Sequence, residues 1–364
     1  MNFWQEILAE KKMILALSPM DGVSDHPFRY ITKKYGKPDL IFSEFANVEG
    51  ICRSSSTRIL DHFDFDPSQH PFVAQIFGKT PAYFKQAAVL LCELGVDGVD
   101  VNMGCPAPTV ANNGSGAAII KNPLLAKEII KAVQEGINEW ANGLELKDCP
   151  DFSIKMIQAV AAKKAKFSLA NANRQKVPTV SVKTRIGYHE EEIATWLPHL
   201  LEMRLAAISL HGRTLKQGYS GKADWAVIGR AAELVKSSDP AVTFLGNGDV
   251  NSYEEALAKV SEFGVDGVLI GRASFGQPHV FLPQEERIKF LAEKNIFQVA
   301  LEHAQLYERT YPAAEDYRFL PMRKHLAWYT KGIENAASIR AELVRSNNSA
   351  EVEEILSKQH LIVD

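Results

Sequence analysis

Cysteine is scarce in this sequence. There are four in 364 residues: Cys52, Cys92, Cys105 and Cys149 form no C-x-x-C pair, and no histidine stands at metal-ligand spacing. That scatter argues against a disulfide framework and a structural zinc site, and predicts free thiols in a reducing compartment with no bound metal. Long hydrophobic runs are missing too, since no stretch approaches the roughly 18 apolar residues that span a bilayer. The opening MNFWQEILAEKK mixes acids and bases where a signal peptide would carry an apolar core. A cytoplasmic protein with no membrane partner is expected. Excess positive charge is also lacking, because 41 Lys and Arg against 44 Asp and Glu leave a formal charge of -3. A surface that tracks phosphates along its whole length is therefore excluded, and any nucleic-acid site must be a local patch.

What the chain does have is ordinary globular material, 46% hydrophobic and 23% charged. It is long enough for two domains, or for one barrel of about 250 residues with an appendage. Short, nearly all-apolar runs read as buried strands at 14–17, 40–45, 72–77, 98–103, 179–184, 206–210, 242–245 and 267–270. Helical periodicity fills most of the intervals, as at 83–94 and 253–263, and Asp25 caps a helix with Pro27 in its first turn. Strands apolar on both faces and alternating with helices imply a parallel sheet covered by helices. Eight such units imply an α/β fold, a closed (β/α)8 TIM barrel. The barrel is expected over residues 1–282. A smaller all-helical domain follows at 283–364, with helices at 296–307, 321–329, 335–345 and 349–357.

The chain is organised around VDVNMGCPAPTVANNGSG, residues 99–116. Apolar residues alternate with Asp100 and Asn102, then Gly and Pro break the strand and place Cys105 just beyond its end. A thiol in a loop set by a rigid strand is a candidate for chemistry. A buried, inert cysteine is the plainer alternative. Other polar residues recur at the same kind of place: Gln75, Lys183 with Arg185, His211, Asn247-Gly248 and Gly271-Arg272 all stand at or just after the end of an expected strand. Barrel enzymes build their sites on that one face.

Asn102-Met103-Gly104-Cys105-Pro106, taken with Pro19-Met20, Val182-Lys183-Thr184-Arg185, His211-Gly212-Arg213-Thr214 and Gly246-Asn247-Gly248-Asp249, resembles the dihydrouridine synthase family, flavin enzymes that reduce uridines in tRNA. The resemblance runs from about residue 16 to 281, and more faintly near 323–332. It implies FMN as cofactor and NADPH or NADH as electron donor. Reduced FMN would deliver hydride to C6 of the uracil, and Cys105 would protonate C5, as a thiol of ordinary pKa near 8.5 can do without activation.

The remaining roles follow from what such chemistry needs. Asn247, Gly248, Asp249, Gly271 and Arg272 would form the phosphate site. Lys183 would stabilise negative charge on the reduced ring, and Gln75 would meet its amide edge. Pro19 and Met20 would pack on the ring, with Asp21 at its rim, where the family usually has Ala. His211 would hold the flavin or the uracil, and Asn102 and Arg185 would bond the uracil carbonyls. A mobile loop at 107–116 would help admit a flipped base.

Two stretches are open to more than one reading. Residues 141–177 intervene before the fifth strand and carry Lys155, Lys163, Lys164, Lys166, Arg174 and Lys176. They are either an inserted helical subdomain or a basic arm that contacts RNA. In 318–345, six cations stand against two acids, with His325, Trp328 and Tyr329 interleaved. This is either helix packing or a tRNA-binding face, the latter implied by the family's C-terminal helical domain. A small-molecule FMN oxidoreductase of the dihydroorotate dehydrogenase type would share the barrel but does not require the helical segment. A non-catalytic RNA-binding relative would lack flavin. A monomer is expected.

Overall fold

Strands apolar on both faces need cover inside and out, and the chain supplies both. The computed structural model describes residues 1–169 and 173–362. Its strands are β1 (Ile14–Leu17), β2 (Leu40–Asn47), β3 (Phe72–Phe77), β4 (Gly98–Met103), β5 (Thr179–Arg185), β6 (Ala207–His211), β7 (Thr243–Asn247) and β8 (Gly267–Ile270). They pair in parallel in chain order, and β8 returns to β1 through Ile14↔Gly267 and Leu17↔Ile270, which closes the expected eight-stranded barrel. Gly267 is needed at that seam, since a Cβ there would lie 2.2 Å from the Ile14 carbonyl oxygen. Several strands outrun their expected ends: β5, β6 and β7 reach Arg185, His211 and Asn247. The ladder continues past the last apolar side chain, so hydropathy alone stops it short.

The barrel interior is graded. At the bottom, Ile14, Ala16, Leu40, Phe42, Val73, Ala207, Leu245 and Leu269 pack with Phe3 and Trp4 of the N-terminal helix Phe3–Glu10. Trp4 is fully buried and its indole N–H donates to Thr179 Oγ1 at 3.0 Å. Toward the top the filling becomes polar, with Gln75, Asp100 and Ser181 joined by side-chain hydrogen bonds. Outside the strands, a second apolar layer seats the surrounding helices.

The chain after the barrel is helical, as expected, with helices Ile296–Thr310, Leu320–Tyr329, Ala336–Leu343 and Ser349–Lys358. A further helix, Gln284–Glu293, is added. Ile288 and Leu291 are exposed on it and only Phe290 is buried, so its periodic signal is weak. These helices share a separate core built on Phe297, Tyr307, Met322, Leu326, Tyr329 and Leu343, against Ile31 of the barrel helix His26–Gly36.

The structure bears on two open readings and corrects one expectation. His325 and Tyr329 are core residues, 1% and 4% exposed, and Trp328 stacks on Phe275, so the interleaved aromatics are packing groups rather than an open stacking face. The segment at 107–116 is not a plain loop. It forms a short helix, Pro108–Ala111, that buries Val110, and folds back so that Ala117 N–H donates to the Cys105 carbonyl at 3.2 Å. The cations of 141–177 are spent internally. Lys163 pairs with Asp61 and Asp64, Lys164 and Arg174 with Glu93, and Lys176 with Asp97, while Lys155 and Lys166 donate to the carbonyls of Ser55 and Thr310. The helix Ile154–Lys166 thus ties the β2–β3 region of the barrel to the first long helix of the C-terminal segment. Among the described residues no helix is long and apolar enough to cross a membrane.

Candidate active site

Every residue given a catalytic, cofactor or substrate role from the sequence lines one cavity of about 960 Å³ at the C-terminal mouth of the barrel. Pro19, Met20 and Asp21 follow β1, Gln75 lies in β3, and Asn102 and Cys105 belong to β4 and its exit. Lys183 and Arg185 end β5, His211 ends β6, Asn247, Gly248 and Asp249 end or follow β7, and Gly271 and Arg272 follow β8. The volume is that of an ordinary cofactor pocket.

Register brings the polar groups together. Gln75 pairs with Asp100, Asn102 with Lys183, and Arg185 with His211 across neighbouring strands. The Gln75 amide donates to Asp100 Oδ2 at 2.7 Å and accepts from Asn102 Nδ2 at 2.9 Å. Asn102 Oδ1 in turn accepts from the backbone N–H groups of Gly104 (3.0 Å) and Cys105 (2.9 Å). Arg185 closes the same turn, its Nε donating to the Gly104 carbonyl at 2.6 Å while Nη1 reaches the Thr214 carbonyl at 3.2 Å. Both residues therefore shape the loop that holds Cys105. Ser43 fills a register shift between Phe42 and Phe45 and accepts the Gln75 backbone N–H at 2.8 Å.

Burial sets the protonation states. It holds the Cys105 thiol above its ordinary range, with the charge of Asp21 adding to the effect, so the sulfur keeps its proton. Lys183 is pulled down to about 8 by burial and by the like charge of Arg185. Its ammonium makes no ion pair or hydrogen bond among the described residues, which leaves a desolvated cation facing the cavity. Burial and the surrounding cations push His211 well below its usual value, so the ring is neutral, and its Nδ1 has no partner.

At the opposite wall, the Asp249 carboxylate is taken up by Arg213 Nη2 at 2.7 Å, Arg272 Nη2 at 3.0 Å and the Ala223 N–H at 2.8 Å. It holds two guanidinium groups in place rather than presenting a free charge. Next to it Gly248 adopts a φ of +124°, and a Cβ there would lie 2.6 Å from that of Ala223. Glycine is the residue that leaves backbone accessible here. Sequence reasoning missed Asp100, the buried partner of Gln75 and Ser181, and the placement of Lys331 at the cavity. Asp100 was legible in principle, since it shares strand parity with Asn102.

The family model described as Dihydrouridine synthase (Dus) matches residues 15–142 and 158–363. Its break covers 143–157, inside the stretch that the sequence sets apart. A probable tRNA-dihydrouridine synthase of Staphylococcus aureus (strain Mu50) is 30% identical over 359 residues, 98% of this chain and 95% of the relative. A probable tRNA-dihydrouridine synthase 2 of Bacillus subtilis (strain 168) is 29% identical over 357 residues, with the same two coverages. With the family match running through both the barrel and the helical segment, the chain belongs to the dihydrouridine synthase family.

Proposed function

We propose that this protein reduces the 5,6 double bond of a uridine in tRNA to 5,6-dihydrouridine, with FMN as resident cofactor, NADPH as electron donor and Cys105 as proton donor. The observation that carries the reading is that Cys105 and Lys183, from adjacent strands, line one cavity at the barrel mouth.

The residues present fit a flavin mononucleotide. The unpaired Lys183 ammonium suits a ring that gains negative charge on reduction. The neutral His211 with an unpartnered Nδ1 offers a hydrogen bond, and Gly248, Gly271 and Arg272 provide backbone and guanidinium donors for a phosphate. Pro19 and Met20 supply an apolar wall, and Gln75 keeps one amide hydrogen and one lone pair beyond its two bonds. Bound FMN supplies the hydride that goes to C6 of the uracil.

The chain's own residues do the rest. Cys105 Sγ holds a proton and gives it to C5, and the deprotonated sulfur is stabilised by Arg185 and Lys183 until it is reprotonated. Asn102 and Arg185 fix the turn that carries the thiol. The barrel, 1–282, houses the chemistry, and the helical segment 283–364 holds the tRNA.

The test is Cys105→Ala in the purified protein. It should stay yellow with bound flavin and form no dihydrouridine on unmodified tRNA. Full activity in this variant would overturn the proton-donor role, and a wild-type protein that takes up no flavin would overturn the whole reading.

A further inference from the structure

Among the described residues, Lys331 is the one member of the C-terminal helical segment that lines the active-site cavity. Its position is not loosely held. It follows the end of helix Leu320–Tyr329, and its N–H donates to the Trp328 carbonyl at 3.2 Å in the closing turn. Trp328 stacks on Phe275 with ring centroids 4.0 Å apart and planes 13° from parallel. Behind that stack the two backbones touch: a Cβ on Gly276 would lie 2.3 Å from the Trp328 carbonyl oxygen, and Gly276 has a φ of +68°. Gly271 and Arg272 of the cavity wall lie in the same loop after β8, so the helix end packs against the element that carries that wall.

Two neighbouring arginines are committed elsewhere. Arg323 donates to the carbonyls of Ser346 and Arg345 and to Asn347 Oδ1. Arg340 donates to Thr330 Oγ1, and Lys324 lies beside Gly22 and the Asp21 carboxylate. Lys331 is exposed and makes no ion pair or side-chain hydrogen bond among the described residues. The rim acid Asp249 is already matched by Arg213 and Arg272.

We propose that Lys331 binds the phosphate of the nucleotide whose base enters the cavity, so that the helical segment sets the depth at which the uracil meets Cys105. This rests on the reading of tRNA as substrate. The chemistry is that of a phosphate at the mouth of a pocket whose floor receives a neutral base. A nicotinamide dinucleotide also carries phosphate, so the test separates the two sources. Lys331 acts as a positioning residue, through the backbone of the substrate.

The experiment compares flavin-loaded wild type with Lys331→Gln and Lys331→Arg. Binding of an unmodified tRNA transcript is measured by anisotropy over a salt series, with KM and kcat for dihydrouridine formation and the rate of flavin bleaching by NADPH. Lys331→Gln should weaken tRNA binding about three- to tenfold and flatten the plot of log K against log salt by roughly 0.7–0.9, the value for one phosphate contact. KM should rise more than kcat falls, Lys331→Arg should restore both, and bleaching by NADPH should be unchanged. An unaltered salt slope overturns the proposal, as does slower bleaching by NADPH with tRNA binding intact. Wild-type protein that binds tRNA but forms no dihydrouridine would sink the proposed function, while the salt slope of Lys331→Gln would still decide this contact.

Discussion

Asn102 is tied to Cys105 through a single oxygen: its Oδ1 accepts the Cys105 N–H at 2.9 Å and the Gly104 N–H at 3.0 Å, while its Nδ2 donates to Gln75. The last polar side chain of β4 thereby fixes the first turn of the loop beyond it. Asn102→Ala removes both acceptor bonds and lets the thiol wander from its donor position. A displacement of about 1 Å at a reacting group costs on the order of 10²-fold in rate. Single-turnover dihydrouridine formation should fall by about that factor with flavin content unchanged. A variant that loses flavin in proportion to activity would show that Asn102 serves the cofactor pocket instead.

The pH profile follows from the same thiol. A proton donor works while protonated, and burial raises the Cys105 pKa above its ordinary value. The thiol itself is lost as a donor only as pH rises past its ordinary range of about 8.5. The rate of the uridine-reducing step, measured with pre-reduced enzyme, should be level from pH 6.5 to about 7.5 and decline above that, first as Lys183 gives up its proton near 8 and then with the thiol. A decline centred near pH 7 would mean that the sulfur is activated as a thiolate and that the acid is another group.

Much of this arrangement was legible before the fold was seen. The eight apolar runs gave the barrel, because a strand covered on both faces has a hydropathy signature of its own. The polar residues at the strand ends gave the cavity, because a barrel offers its C-terminal mouth to function. Partnership was not legible. Nothing in the sequence shows that Asp249 is occupied by two arginines, that His325 and Tyr329 point into a helical core, or that the lysines of 154–166 each find an acceptor on a different segment. Composition reports that a charge exists, and only three-dimensional neighbours decide whether it is free.

The role proposed for Lys183 sets function against stability. Burial holds its pKa down to about 8, against 10.5 for a free lysine. Between those values the unfolded chain binds the proton and the folded one does not, so stability rises with pH across that window. Below pH 8 the full penalty applies, about 3 kcal/mol at 1.36 kcal/mol per unit. Lys183→Met replaces the buried charge by an apolar chain of similar length. In urea melts at pH 7 it should be more stable than wild type by about 1–3 kcal/mol, with the gap closing toward pH 10. Reduction of its flavin by NADPH should slow at least tenfold, if a cation on the reduced ring is worth the ~1.4 kcal/mol that a factor of ten represents. A destabilised variant would mean that the buried Asp100 carboxylate, whose charge favours the ammonium, depends on it.

The helix Ile154–Lys166 offers a direct choice between a strut and an RNA-binding arm. Lys163 pairs with Asp61 and, at 2.6 Å, with Asp64, whose side chain is 1% exposed and which burial raises to about 6. Lys163→Met leaves that carboxylate buried without its cation, a loss of about 3–5 kcal/mol when one partner of a buried pair is removed. The folded variant favours the protonated acid more than wild type does, so its deficit should be larger at pH 7.5 than at pH 5, the change coming above 6 because below that wild type also buries a protonated acid. Thermal melts at the two pH values measure this. The tRNA salt slope should match wild type, because the lysine reaches no phosphate. A slope flattened by roughly 0.9 with unchanged melting would make the helix an RNA-contacting arm.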